Sequence, residues 1–343
     1  MGLRIALTGV HSWPGVERGA ERYLHELAHA LSAAGHDVRV LSTGHPATDV
    51  VLGVPVRRLP VRGAGLAVER GFGRDALRRL ALARIDVWHA TSTGDAAAAT
   101  SLARLRPRLR TVFTDHGFPV RSSREQRGDA DLHVRVVQRI GSYVCVSAVA
   151  GDWLRKDFGR VADVVHPGVD TSFFTPGGAR ADRPTVLYSG ALDEERKGIR
   201  LLVDAVARVP DATLQLVGPG RPDLSGLPVS HVRVSGPLPR EELREMYRSA
   251  WVTALPSTAE AFGMALSESL ACGTPGVARA DGGGPAEILV AVTGALTEGT
   301  ADALAEGIQK AIATSDPQAC RARAEEFDWQ RCVVPRLEQV YAA

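Results

Sequence analysis

The chain has 343 residues and a formal net charge of +2, with 45% hydrophobic and 23% charged residues. This length and composition are typical of a globular protein with two domains, and the near-neutral charge without a recognisable nucleic-acid-binding motif argues against a nucleic-acid partner. No apolar stretch suits a membrane span or a signal peptide, and four scattered cysteines without a CxxC motif argue against a zinc site or disulfide framework and favour a cytoplasmic protein.

Short apolar segments alternate with amphipathic segments in the first half of the chain. RIALTG predicts a strand, and AERYLHELAHALSAAG predicts a helix that ends at its glycine. Further strands are predicted at DVRVLS, DVWHA, TVFTDHG and YVCVS, each followed by polar or small residues or by a helical stretch. This alternation is the pattern of a parallel sheet with crossover helices.

A segment rich in glycine and proline, residues 166–184, interrupts the alternation and is predicted to link two domains. After it, the alternation restarts with the strands TVLYSG, TLQLVG, HVRVSG, VTALPS and TPGVAR and with helices at 199–208, 240–249 and 263–271. The sequence therefore predicts an α/β protein with two Rossmann-like, doubly wound domains. Because open α/β sheets bind ligands at the carboxyl ends of their strands, we expect the domains to face each other across a cleft with one shared site.

SGALDEERKG, residues 189–198, leaves a predicted strand through a turn of small residues and places Arg196 and Lys197 next to each other. Two interpretations are open for this pair of cations. The turn is either a solvated surface turn, or it holds two cations at the carboxyl end of a strand to meet an anionic ligand.

The most specific stretch is PSTAEAFGMALSESLACGTP, residues 256–275, in which a turn leads into a helix that begins near Phe262–Gly263. The free amides and the positive dipole end of a helix start suit a diphosphate. Glu260 precedes the helix and Glu268 lies inside it, so the two carboxylates are placed to accept hydrogen bonds from sugar hydroxyls. The alternative is that they are two unrelated surface glutamates.

The run from Glu260 to Glu268, followed by LACGTP, resembles the E-x7-E motif of family-4 retaining glycosyltransferases with the GT-B fold. RGAERYLHELAHALSAAGHDVRVLS is similar to their glycine loop, first helix and second strand, TDHG to their histidine turn, and GALDEERKG to their phosphate-binding turn. These motifs keep their order and spacing over nearly the full length. The resemblance implies an N-terminal acceptor-binding domain at 1–170, a C-terminal donor-binding domain at 171–325, and a final helix at 326–343 that crosses back onto the N-terminal domain.

The resemblance also implies roles for single residues. Lys197 and a nearby arginine would bind the diphosphate of a nucleoside-diphosphate sugar and neutralise the charge that develops on the leaving group. Glu260 would hold sugar hydroxyls, and Glu268 would hold the ribose. His116 would contact the transferred sugar near its reacting face, although a lone histidine is commonly a structural hydrogen-bonding group.

Glycines and backbone amides complete the expected donor site. Gly19 would let the first loop approach the diphosphate, and Gly218 ends a strand near the expected base pocket or only permits a turn. The amides around Phe262, Gly263 and Met264 would touch the sugar and the phosphates. Because the turn at Arg196 and Lys197 would supply the positive charge that a catalytic metal provides, we expect no metal and no cofactor beyond the donor.

Two positions depart from the family pattern. Ala191 stands where relatives often carry an arginine after the strand glycine, and Arg18-Gly19 stands where they usually carry two glycines. We hypothesise that Arg196, or else Arg18, supplies the missing guanidinium. If Arg196→Ala and Arg18→Ala both leave donor affinity and turnover intact, this hypothesis is wrong. The alternative is that Lys197 suffices.

The resemblance implies hexosyl transfer to an acceptor hydroxyl with retention of configuration, through front-face substitution without a covalent protein adduct. Two other functions stay open: a nucleotide-sugar 2-epimerase of the same fold, and a non-catalytic sugar-nucleotide binder, which Ala191 suggests. Incubation of a nucleotide sugar without acceptor separates the epimerase from the transferase, because C2 inversion indicates an epimerase and slow hydrolysis indicates a transferase.

The acceptor is expected to bind the N-terminal half, particularly 44–80 and 117–135, where the second segment predicts a mobile loop. Residues 1–170 hold 24 basic and 17 acidic residues, a balance of +7, and most of the excess is arginine. This excess favours an anionic acceptor or an anionic membrane surface, or it is a solvated face. Small glycosides, aminocyclitols, glycans and lipids all remain possible acceptors, and the protein could sit peripherally at the inner membrane face.

Overall fold

A computed structural model describes residues 2–10, 19–45, 47–60 and 65–343. The chain forms two compact units: Met1–His166 together with Cys332–Ala343, and Pro167–Arg331. The change of unit after His166 falls at the start of the segment rich in glycine and proline.

The first unit is built on an eight-stranded sheet with the order β3-β4-β2-β1-β5-β6-β7-β8. All neighbouring strands are parallel except β3 and β4, which form an antiparallel pair that the sequence pattern did not reveal. The central strands are buried along almost their whole length, as in parallel sheets generally. The strands are β1 (Arg4–Gly9), β2 (Asp37–Thr43), β3 (Thr48–Val51), β4 (Val54–Leu59), β5 (Val87–Ala90), β6 (Arg110–Asp115), β7 (Ser142–Cys145) and β8 (Asp163–Val164).

In the described part of this unit, six helices connect the strands. Their bounds are α1 (Gly19–Ala33), α2 (Leu66–Leu80), α3 (Thr93–Ala103), α4 (Arg121–Arg127), α5 (Ala130–Arg139) and α6 (Ala148–Phe158). The prediction of a mobile loop at 117–135 is therefore wrong, because α4 and most of α5 occupy this segment. The segment reads as polar, yet Arg124, Leu132 and His133 are buried and attach both helices to the sheet.

The second unit contains a six-stranded parallel sheet with the order β11-β10-β9-β12-β13-β14. Its first four strands have the Rossmann order 3-2-1-4, so the strand order reverses between β9 and β12. The strands are β9 (Thr185–Ser189), β10 (Thr213–Val217), β11 (Val232–Ser235), β12 (Val252–Leu255), β13 (Gly276–Arg279) and β14 (Gly294–Thr297). The helices are α7 (Ile199–Val206), α8 (Arg240–Ser249), α9 (Met264–Ala271), α10 (Ala301–Thr314) and α11 (Pro317–Glu325).

The last helix, α12 (Val334–Ala342), belongs to the first unit and follows a π-helical turn at Trp329–Val333. Its Tyr341 hydroxyl lies 2.7 Å from Nδ1 of the buried His89 on β5. Nε2 of the same ring lies 2.7 Å from Thr114 Oγ1 on β6. The end of the chain is thereby fixed to two central strands. Among the described residues, no helix has the length and apolar character to cross a membrane.

Candidate functional site

Two loops meet at the carboxyl ends of β9 and β12, where the strand order of the second unit reverses. The loop after β9 forms a 3-10 turn at Glu195–Lys197 and ends at Gly198, whose φ of 69° is left-handed. A Cβ at Gly198 would lie 2.7 Å from the carbonyl oxygen of Pro256, so glycine allows the close approach of the two loops. The Thr258 amide donates to the Arg196 carbonyl at 2.8 Å and joins the loops from the other side.

This contact brings together two of the predicted site residues. Lys197 Nζ lies 2.6 Å from Glu260 Oε2, and the two side chains are only 12% and 17% exposed. The backbone of Glu260 is also held on both sides, because its amide donates to Gly282 and its carbonyl accepts from Gly284. Ala259, directly before it, adopts a φ of 51°, which costs a residue with a Cβ about 1–2 kcal/mol. The loop thus fixes the Glu260 carboxylate against the ammonium group.

Helix α9 begins beside this pair. Phe262 is buried and its ring packs edge-on against Phe327 at 5.4 Å. Gly263, with a φ of 107°, is the residue before the helix and has no side chain with which to cap it. The first-turn amides, starting at Met264, therefore lack the usual side-chain acceptor and form a site where an anion is favoured.

Glu268 lies one turn further along α9 and is 3% exposed. The hydroxyl of the buried Tyr247 on α8 donates to Glu268 Oε2 at 2.9 Å. Glu268 is thus held in place by a neighbouring helix and takes no part in the Lys197–Glu260 pair. Sequence reasoning missed Tyr247. In the sequence, Tyr247 could be recognised only as an aromatic residue on the apolar face of an amphipathic helix.

Arg196 and Arg18 are the two arginines hypothesised to replace the one missing at Ala191, and the structure describes only Arg196. Arg196 is 47% exposed and pairs with Glu194 Oε2 at 2.7 Å, a partner that sequence reasoning did not assign. Ala191 is buried, and its carbonyl accepts a hydrogen bond from Tyr188. Arg18 lies outside the described residues. Compensation by Arg196 or Arg18 stays a prediction.

Two more of the predicted site glycines, Gly19 and Gly218, lie in different units. A Cβ at Gly218, just after β10, would lie 2.0 Å from the carbonyl oxygen of Gly190, so the ends of β9 and β10 approach too closely for any side chain. Gly19 is exposed and is the first residue of α1. The packing of Gly218 explains why glycine is required there without reference to a ligand.

His116 follows the carboxyl end of β6 in the first unit. Its ring packs edge-on against Tyr23 with a centroid distance of 4.5 Å. The residue is partly exposed, but its Nε2 is buried and has no hydrogen-bond partner in the described ranges. Burial lowers the pKa of His116 to about 4, against the opposing effect of Asp115. The imidazole is therefore neutral at pH 7.

A buried network fixes the turn that carries His116. The Asp115 carboxylate accepts hydrogen bonds from the Gly117 amide at 3.1 Å, from the Tyr143 hydroxyl at 2.7 Å and from the Arg124 guanidinium. Arg124 Nη1 also donates to Asp129 Oδ2 at 2.9 Å. Burial is the largest single effect and opposes ionisation of Asp115, but the charges of Arg124 and His133 and the hydrogen bonds from Tyr143 and Gly117 together outweigh it, and the pKa of Asp115 is about 2. Sequence reasoning assigned no role to Asp115 or Arg124.

The depressed pKa of His116 predicts part of the acid sensitivity of the fold. An unfolded histidine binds a proton near pH 6.5, whereas folded His116 does so only near pH 4, so its contribution to stability is lost as the pH falls between these values. Between pH 7 and pH 5, the free energy of unfolding of the wild type should fall by about 2 kcal/mol more than that of His116→Gln. Urea denaturation at both pH values measures this, with the exposed His45→Gln as control. An equal fall in both variants and the wild type would refute the assignment.

Comparison with known proteins gives consistent matches to both halves of the chain. Residues 18–173 match the family model described as Glycosyltransferase Family 4, and residues 170–327 match the model described as Glycosyl transferases group 1. A D-inositol 3-phosphate glycosyltransferase of Mycolicibacterium smegmatis is 34% identical over 50% of this chain, an alignment that spans only 45% of that relative. The protein of the same name from an Arthrobacter species is 27% identical over 99% of this chain and 95% of its own length.

Solved structures share the fold over nearly the whole chain. Sucrose-phosphate synthase from Thermosynechococcus elongatus superposes with a TM-score of 0.83 at 24% identity, covering 98% of each chain. HepE from Anabaena, solved in complex with UDP-glucose, superposes with a TM-score of 0.79 at 19% identity, covering 99% of this chain and 100% of its own. At these identities, the likeness defines the architecture of the chain.

Proposed function

Because this chain belongs to the family-4 glycosyltransferases with the GT-B fold, we propose that it transfers a hexosyl group from a nucleoside-diphosphate sugar to an acceptor hydroxyl with retention of configuration. One observation carries the proposal. The Lys197–Glu260 pair lies at the point of strand-order reversal in the second unit, next to the uncapped start of α9. Open α/β sheets bind their ligands at such points.

Each group at this place suits one part of a sugar diphosphate. The Lys197 ammonium and the first-turn amides of α9 are donors for phosphate oxygens, and the Glu260 carboxylate is an acceptor for sugar hydroxyls. Lys197 Nζ and Glu260 Oε2 are 2.6 Å apart and form an ion pair with each other. A bound donor would replace this contact, with the phosphate taking the ammonium and the sugar hydroxyls taking the carboxylate.

The transfer step follows from these contacts. The bond between the anomeric carbon and the phosphate oxygen breaks, and its electron pair stays on the β-phosphate, where Lys197 and the helix dipole stabilise the added charge. The acceptor oxygen forms its bond on the same face of the sugar and passes its proton to the departing phosphate oxygen. No protein nucleophile is required, so orientation and charge stabilisation supply the rate enhancement. Contact of His116 with the transferred sugar stays a prediction.

The relatives narrow the first substrates to test. HepE binds UDP-glucose, which supports a UDP-sugar as the donor to try first. Two relatives carry the name D-inositol 3-phosphate glycosyltransferase, which supports a cyclitol or its phosphate as the first class of acceptor. The positive balance of residues 1–170 is compatible with an anionic acceptor.

The proposal is tested by product analysis with a panel of UDP-, GDP- and ADP-sugars and cyclitol acceptors. We expect one donor to raise the melting temperature, and NMR of its product to show the same anomeric configuration as the donor. An inverted product would contradict retention. C2 inversion without acceptor would establish an epimerase, and donor binding without turnover on any acceptor would establish a binding protein.

A further inference from the structure

Two leucines of the first unit point away from its core. Leu82 is 95% exposed and Leu105 is 82% exposed, the highest values for large hydrophobic side chains among the described residues. Leu82 lies in the connection between α2 and β5, and Leu105 lies in the connection between α3 and β6. Single exposed leucines are common, so their importance depends on whether they are neighbours.

The side chain of Arg106 links the two connections that carry these leucines. Its Nη1 donates to the carbonyl oxygens of Leu80 at 3.2 Å and Ala83 at 2.8 Å, so the residue after Leu105 holds both sides of the turn that carries Leu82. The two connections also lead into adjacent parallel strands, in which Val87 pairs with Arg110. Both leucines therefore lie at the amino end of the sheet.

Four arginines lie within three residues of these leucines in the sequence. Arg79, Arg84, Arg104 and Arg108 are exposed, and none of these four forms an ion pair within the described part of the chain. The nearby acids are already engaged, because Asp75 pairs with Arg78 at 3.2 Å and Asp86 pairs with Arg4 at 2.6 Å. The Leu82/Leu105 surface, defined as these two leucines and these four arginines, thus combines protruding apolar groups with uncompensated positive charge.

We propose that the Leu82/Leu105 surface docks on an anionic lipid bilayer. Leucine side chains enter the boundary between headgroups and acyl chains, and guanidinium groups bind the negatively charged headgroups around them. A second copy of this chain fits less well, because a two-fold contact through this surface would place arginines against arginines. An anionic membrane supplies the negative charge that these arginines lack within the described part of the chain.

The docked orientation follows from the strand direction. His116 follows the carboxyl end of β6, whereas Leu105 precedes its amino end. With the leucines in the bilayer, the end of the first unit that carries His116 points away from the lipid. Docking would therefore hold the protein at the membrane while leaving that end accessible from the aqueous side. This inference does not depend on the proposed transferase activity.

Sedimentation of the full chain with lipid vesicles tests the inference. We expect the wild type to bind phosphatidylglycerol-containing vesicles, to bind phosphatidylcholine vesicles at least about tenfold more weakly, and to lose anionic binding as salt rises. Leu82→Asn/Leu105→Asn and Arg104→Gln/Arg108→Gln should each weaken binding about tenfold or more. Val50→Asn, at an exposed site on the far edge of the sheet, should bind like the wild type.

Thermal melting of each variant verifies that it is folded, so a loss of binding reports on the surface. Absence of binding to anionic vesicles, or equal binding by all variants, would overturn the proposal. Light scattering supplies one more outcome: a wild-type dimer that the double leucine variant abolishes would assign the surface to a second copy and overturn the membrane assignment.

Discussion

Replacement of Lys197 by alanine is expected to lower kcat by about 10²–10³-fold, the usual cost of removing one preorganised group that stabilises transition-state charge. Lys197 is the cation that the structure places next to Glu260 and the start of α9, and its side chain is only 12% exposed. In a site with little water, the charge that develops on the departing phosphate would lose its nearest compensation. The measurement is steady-state turnover with the donor identified by the melting screen.

Two variants sharpen this test. Lys310→Ala removes an exposed lysine from α10 and should leave turnover unchanged. Arg196→Ala should cost less than Lys197→Ala, because Arg196 is about half exposed and already paired with Glu194. Wild-type turnover in Lys197→Ala would remove Lys197 from the mechanism.

Replacement of Arg124 by methionine is expected to lower the free energy of unfolding by about 3–5 kcal/mol, the range for breaking a buried ion pair by removing one partner. Arg124 and Asp115 are each 7% exposed. Without the guanidinium, the carboxylates of Asp115 and Asp129 would stay buried with their main counter-charge gone. Such a loss is a large part of the 5–15 kcal/mol that stabilises a typical domain. Urea denaturation monitored by tryptophan fluorescence measures it.

The chain offers a matched control on the same helix. Arg127 is 56% exposed and lies 3.7 Å from Asp129, so Arg127→Met should change the stability by less than about 1 kcal/mol. If Arg124→Met does not fold, Tyr143→Phe removes one hydrogen bond to Asp115 and should cost about 1–3 kcal/mol. Equal stability of Arg124→Met and Arg127→Met would show that the network does not stabilise the fold.

The alternation of short apolar runs with amphipathic segments was sufficient to predict a mainly parallel sheet in each half of the chain, but it did not reveal the antiparallel pair of β3 and β4. The strands at 4–9 and 185–189 and the helix at 240–249 are found within a residue of the predicted bounds. The start of α9 was also predictable, because a turn and then Phe262–Gly263 come directly before an apolar helical segment. The position of Lys197 in the turn after β9 left two interpretations open, and the family resemblance favoured the phosphate-binding one, which stays a prediction.

The features that the sequence pattern did not predict depend on contacts between residues that are distant in sequence. The sequence predicts a loop where α4 lies, because an arginine is ordinarily exposed and nothing nearby in the sequence shows that Arg124 bonds Asp115 inside the protein. Tyr247 and Glu268 are 21 residues apart, and only the packing of α8 on α9 joins them. The link between β10 and β11 lacks a helix, which leaves Val234 of the edge strand 49% exposed. A local pattern contains none of this information.

A crystal structure with a bound nucleoside diphosphate tests the central claim most directly. The account predicts that the phosphate oxygens lie within hydrogen-bond distance of Lys197 Nζ and the first amides of α9, and that the 2.6 Å contact between Lys197 and Glu260 is broken. A diphosphate bound elsewhere, with that contact intact, would contradict it.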